Sequence, residues 1–147
     1  MKLKIGENEY SIKFAYKPTL KERIISKFVR YSGEINKDSG IDLEKLEDML
    51  LFLPEALLVG LQVHHEDFRY DCETGEGKKE KLDKAFELVE QYMDSYEADV
   101  VWFFNQLQEA LLQDSFLRSL FQKEQKKQEK AEARENLMMV ETEQSEN

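Results

Sequence analysis

The chain has 147 residues, 41% hydrophobic and 35% charged, with a formal net charge of −10 and a pI near 4.8. That length suits a single domain with a sizeable core, and so acidic a balance disfavours a nucleic-acid surface, which relies on lysine and arginine to neutralise phosphate. The single cysteine, Cys72, excludes an internal disulfide framework and fits a reducing cytoplasm.

Met1-Lys2-Leu3-Lys4 runs into alternation rather than an apolar stretch, so no signal peptide is expected. From Lys2 to Ala15 the apolar residues Leu3, Ile5, Tyr10, Ile12 and Phe14 are interleaved with polar ones, the period of a half-buried strand. Gly6-Glu7-Asn8-Glu9 supplies a turn, which gives a β-hairpin with one apolar face. Such a ribbon is marginal alone and must pack on helices.

Pro18-Thr19-Leu20-Lys21-Glu22 reads as a helix start, with Thr19 and Glu22 at capping-box spacing. Leu20, Ile24, Ile25 and Phe28 line one face of that helix, which is expected to end near Tyr31–Gly33. Gly33–Gly40 is a polar loop, and Asp42 is placed to cap the next helix.

Asp42 to Phe68 is the stretch that organises the chain. Between Met49 and Val63 nearly every side chain is apolar, with Glu55 and Gln62 as the exceptions, and a run apolar on all sides implies burial. Proline suits a first helical turn and disrupts an interior. Pro54 therefore divides the run into Leu43–Leu53 and Pro54–Glu66, with a single kinked helix as the alternative. The second segment, at about 13 residues, is shorter than the roughly 20 a membrane span needs. It is expected to be the central core helix.

A second long loop runs from Phe68 to Lys79, marked by Gly75 and Gly77. Leu82, Ala85, Phe86, Val89, Tyr92, Met93 and Tyr96 then recur at helical spacing. Asp94–Asp99 interrupts, and Val100 to Leu112 forms another helix ending near Asp114-Ser115. A last turn or two spans Phe116–Phe121. Gln122–Glu135 contains only Gln, Lys, Glu, Arg and Ala, which describes a solvated helix or a disordered segment. Leu137-Met138-Met139-Val140 is an apolar island in an acidic end. The expected fold is α+β, mainly α: an N-terminal β-hairpin packed on a bundle of about five helices over residues 1–121, with a charged tail at 122–147.

Sites of chemistry are scarce. His64-His65-Glu66-Asp67, with Cys72 nearby, holds every usual metal-ligand type. Adjacent histidines on a helix diverge by about 100°, however, and no H-E-x-x-H spacing occurs. Asn36–Asp42 fits no register of a calcium loop, because the glycine and glutamate positions cannot be filled together. Nucleophile-elbow, phosphate-loop and dinucleotide patterns are absent. Cys72 lies between Asp71 and Glu73, which oppose thiolate formation. Neither a catalytic, a cofactor-binding nor a metal residue is expected. Trp102-Phe103-Phe104 is different: three consecutive rings on one helix cannot all face one core. Trp102, Phe103 and Phe104, with Phe116 and Phe121 beyond them, are therefore the candidate partner-binding residues.

Several stretches resemble the tail assembly chaperones of long-tailed, siphovirus-type bacteriophages and prophages of Gram-positive bacteria. They are the opening Met1–Tyr10, followed by Lys13-Phe14 and the Thr19-Leu20 helix start, and above all Leu53-Pro54-Glu55-Ala56-Leu57-Leu58-Val59-Gly60-Leu61-Gln62-Val63-His64-His65 with Asp67-Phe68. The likeness covers roughly residues 1–121, and its motif residues Pro54, Gly60, Leu61, Gln62, His65 and Phe68 are structural. It implies a non-enzymatic protein of the host bacterial cytoplasm, absent from the mature virion. Such a protein binds the tape measure protein, keeps its long apolar helices soluble, promotes polymerisation of the tail tube protein and associates into homo-oligomers. The resemblance involves neither nucleic acid nor membrane. Two other classes stand beside it: a small cytosolic regulatory or adaptor protein, and a metal-dependent hydrolase using His64, His65 and Glu66.

Overall fold

The computed structural model describes residues 1–145. Two strands, β1 (Lys2–Ile5) and β2 (Asn8–Ser11), precede six helices: α1 (Tyr16–Lys21), α2 (Ile24–Ile35), α3 (Leu43–Leu61), α4 (Lys78–Met93), α5 (Val100–Gln113) and α6 (Arg118–Ser145). A short 3-10 turn, Glu66–Phe68, lies between α3 and α4. The fold is α+β and mainly α, with the hairpin at its N-terminus, as the alternation and helical spacing predict.

The hairpin is antiparallel, with Leu3 opposite Tyr10 and Ile5 opposite Asn8, so its loop is Gly6-Glu7. Gly6 has φ 62°, a left-handed conformation that glycine adopts without steric cost. Leu3, Ile5, Ile12 and Phe14 are all buried, which satisfies the apolar face read from the alternation. The ribbon is fastened to the end of α3 by two bonds. The Lys13 amide donates to the Gly60 carbonyl at 2.9 Å, and the Ser11 amide donates to His65 Nε2 at 3.1 Å.

The core is built on α3. Asp42 caps it by accepting from the Glu44 amide at 3.1 Å. From Phe52 to Leu61 every residue but Glu55 is buried, and Glu55 takes the Lys27 ammonium of α2 at 2.6 Å. The expected division at Pro54 does not occur: Leu43–Leu61 is one helix with Pro54 inside it. Proline removes the amide that would reach the Leu50 carbonyl and costs about 3 kcal/mol in a helix interior. Leu50 lies at the surface, where water can serve that carbonyl. Phe52, Leu53, Ala56 and Leu57 are buried on both sides of the proline, and large apolar side chains contribute about 1.5–3 kcal/mol each on full burial. Packing outweighs the local penalty. The helix also stops at Leu61 rather than Glu66, so His64 and His65 lie beyond it.

The first helical region departs further from expectation. Thr19 sits inside α1, fully buried, with its hydroxyl unpartnered, while the Glu22 carboxylate is held by Lys78 at 2.5 Å. Their capping box does not form. One expected helix is two, broken at Arg23, whose φ of 54° and ψ of 39° are left-handed. Phe28 of α2 is the hub of the aromatic core, edge-on to Phe14 (6.1 Å) and Phe52 (4.9 Å) and tilted against Phe104 (5.3 Å). α2 runs on to Ile35, past the expected end.

Secondary structure shows no break at the boundary expected near residue 122, because Arg118–Ser145 is a single helix. Arg118, Ser119 and Leu120 at its start are exposed, Phe121 is half-buried, and every residue from Lys126 to Glu135 is exposed. The last two residues of the expected tail, 146 and 147, lie outside the described ones.

Candidate partner-binding surface

Trp102, Phe103 and Phe104 occupy the first turn of α5, which Asp99 caps by accepting from the Trp102 amide at 3.0 Å. Successive side chains diverge by about 100°, so this turn sends its rings in different directions. Phe104 enters the core against Phe28, and Phe103 packs on Tyr92 of α4 at 4.8 Å. Both are fully buried. They are core residues and not partner anchors, a correction to the expectation for two of the five candidates. Trp102 is the ring left outside, 42% exposed.

Trp102 does not stand alone. Its indole stacks on the Tyr92 ring at 5.7 Å with 21° between planes. The Tyr92 hydroxyl is fixed in turn, accepting from the Asp99 amide at 3.0 Å and donating to the Asp99 carbonyl at 3.2 Å. The pair borders an open groove of about 710 Å³ that Tyr96, Glu97, Asp99 and the hairpin residues Lys4 and Gly6 complete. Tyr96, expected to lie on the apolar face of α4, falls beyond the end of that helix and is fully exposed. The arrangement is a rigid aromatic anchor inside a polar rim, suited to an apolar side chain of another molecule.

The other two candidates lie at the α5–α6 junction. Phe116 is 38% exposed, edge-on to Tyr16 at 5.1 Å, and Phe121 is half-buried. Sequence reasoning missed Tyr16 as part of this surface, and it took Tyr92 for an ordinary member of the core face. The i, i+4 spacing of Tyr92 and Tyr96 was the available signal.

Gly60, Leu61, Gln62, His65 and Phe68 gather at the C-terminal end of α3, and Pro54 lies about two turns earlier in it. Pro54, Gly60 and Leu61 are buried. The Gln62 side chain donates to the Leu58 carbonyl (2.9 Å) and the Phe68 carbonyl (2.7 Å), bending the chain back after the helix. His65 packs tilted on Tyr10 and edge-on to Phe68. Its Nε2 lone pair accepts from the Ser11 amide, which removes the acceptor a metal or a proton-transfer role would use. His64 and Glu66 are exposed. Among the described residues, no group of three or more His, Cys, Asp or Glu comes together as a metal site.

The electrostatics follow local contacts. Burial, reinforced by the Glu22 charge, pushes the Tyr70 hydroxyl far above its ordinary range. The Asp71 carboxyl is held below the usual carboxylate range by the backbone amides of Glu73 and Thr74. By accepting those two amides, the Asp71 carboxylate shapes the loop between α3 and α4. Among the described residues, no helix is long and apolar enough to cross a membrane. No protein-family model, curated protein or solved structure matches the chain.

Proposed function

We propose that this chain is a non-enzymatic tail assembly chaperone of a long-tailed phage or prophage. In this reading it acts in the host bacterial cytoplasm and is absent from the finished virion. It binds the tape measure protein, holds that protein's apolar helices in solution, associates with copies of itself and promotes polymerisation of the tail tube protein. The observation that carries the reading is the exposed Trp102–Tyr92 stack in its polar-rimmed groove. A holdase needs an apolar seat for a client helix and a charged exterior that keeps the complex soluble. The groove offers the seat, and a net charge of −10 supplies the exterior.

Trp102 is the sole tryptophan, so its emission reports the groove directly. Titration with a fragment of the cognate tape measure protein is expected to shift that emission to the blue and to suppress aggregation of the fragment. Aromatic anchors commonly cost 2 kcal/mol or more when cut to alanine. Trp102→Ala should therefore weaken binding by about 30-fold, read by calorimetry, with the far-UV spectrum unchanged because the ring is outside the core. Light scattering over a wide concentration range tests self-association. A protein that stays monomeric and ignores the fragment would overturn the chaperone reading and leave the regulatory adaptor.

A further inference from the structure

Between Lys13 and Ser32 the sequence holds six basic side chains (Lys13, Lys17, Lys21, Arg23, Lys27 and Arg30) and one acidic, Glu22. This is a strongly basic stretch in an acidic chain. Three of its charges are engaged: Glu22 by Lys78, Lys27 by Glu55 and Lys17 by Glu73. Lys21 and Arg23 make no ion pair among the described residues.

These charges border apolar side chains that face solvent. Tyr16 is 65% exposed and Leu20 44% exposed, one helical turn apart on α1, with Lys17 and Lys21 in the adjacent row. Together the four line an open groove of about 320 Å³, and Phe116 closes on Tyr16 from the α5–α6 junction. Leu20 also borders a second groove of about 270 Å³, on the side where Arg23 and Ile25 lie. Leu20 is thus a ridge between two shallow grooves, with cationic groups beside each.

We propose that this face of α1 and the start of α2 binds an acidic amphipathic helix of a partner protein. An apolar row at i, i+4 beside the Lys21 ammonium, unpaired among the described residues, with Lys17 of the same row already held by Glu73, is complementary to a helix that carries apolar residues on one row and carboxylates on the next. The same physics disfavours larger polyanions. Charge is felt over roughly 8 Å at physiological ionic strength, and a helix about 10 Å across meets this face alone. A bilayer or a nucleic-acid duplex extends further and meets the acidic remainder of the chain. The face shares no lining residue with the Trp102 groove, so it does not rest on the chaperone reading.

The test uses the full chain and a fluorescent synthetic helix with leucines at i, i+4 and glutamates on the adjoining row. Two control peptides replace the leucines with serine or the glutamates with lysine. The acidic amphipathic peptide is expected to bind at least about tenfold more tightly than either control, and Lys21→Glu and Leu20→Ser should each reduce its affinity about tenfold. Both positions are exposed, so circular dichroism should be unchanged, and Lys79→Glu, the same charge change on α4, should leave binding intact. Equal binding of the serine peptide, or indifference to Lys21→Glu, would overturn the proposal. So would capture of the protein by phosphatidylserine vesicles in a Lys21-dependent manner, which would assign the face to a membrane surface.

Discussion

Gly60→Ala should destabilise this protein, although alanine is the better helix former. Alanine gains about 1 kcal/mol over glycine in a helix interior. Against that gain, a Cβ at position 60 would lie 2.8 Å from Ile12 Cγ2, closer than real Cβ atoms approach, with Phe14 Cζ in contact at 3.4 Å. Neither neighbour can retreat freely. Ile12 and Phe14 are both buried, and the backbone between them is tied to α3 by the bond from the Lys13 amide to the Gly60 carbonyl. Overpacking of this kind costs about 1–3 kcal/mol, and loosening the Lys13 bond costs about 1 kcal/mol more. The net loss is about 1–3 kcal/mol, a fall in Tm of roughly 2–12 °C for a chain of this size. Gly60→Leu should lose several times as much. Denaturant and thermal melts measure both. A double-mutant cycle locates the cause: with Ile12→Ala opening the space, Gly60→Ala should become neutral or stabilising, a coupling of about 1–3 kcal/mol. A rise in Tm for Gly60→Ala in the parent chain would refute the close-packing argument.

Ending the chain after Phe121 should leave Tm nearly unchanged while mean helicity falls, because the residues from Lys126 to Glu135 are exposed; loss of cooperative unfolding would show that α6 supports the core. Arg23→Gly should stabilise by up to about 1 kcal/mol by removing a side chain from the left-handed region, whereas Arg23→Val should destabilise, and equal melts for the two would contradict the geometry. The lowered Asp71 carboxyl contributes stability that is complete above the ordinary carboxylate range and is lost as pH falls through its own depressed value. Asp71→Asn keeps an acceptor for the Glu73 and Thr74 amides but not the charge, so the acid limb of its stability–pH curve should be shallower than the parent's, and superimposable limbs would rule this out.

Local pattern carried most of the architecture. The hairpin was legible because Leu3, Ile5, Ile12 and Phe14 alternate, and α3 because an all-round apolar run needs burial. Asp42 was legible as a cap because its side chain acts within two residues. What was not legible depended on distant neighbours. Pro54 reads as a boundary until Phe52, Leu53, Ala56 and Leu57 are seen to be buried around it. The break at Arg23 carries no glycine or asparagine to announce a left-handed residue. Thr19 is drawn into α1 and Glu22 is claimed by Lys78, 56 residues away, so their spacing promised a cap that tertiary contacts replaced. Helical geometry showed that Trp102, Phe103 and Phe104 could not share one core. Which ring stays outside is decided by Tyr92 and Phe28, from elsewhere in the chain. A whole-chain charge of −10 likewise hid the basic stretch around α1.

The bonds that fasten the hairpin to α3 also set a clock during synthesis. Ser11 and its acceptor His65 are 54 residues apart. At roughly 5–20 residues per second, a ribosome needs about 3–11 s to add that interval. Until it has been added, the apolar face of the hairpin has no α3 to pack on, and the amides of Ser11 and Lys13 lack their native partners. The first-made element is therefore among the last to settle. A pause within the codons for α3 would prolong that exposure, and faster passage through them would shorten it.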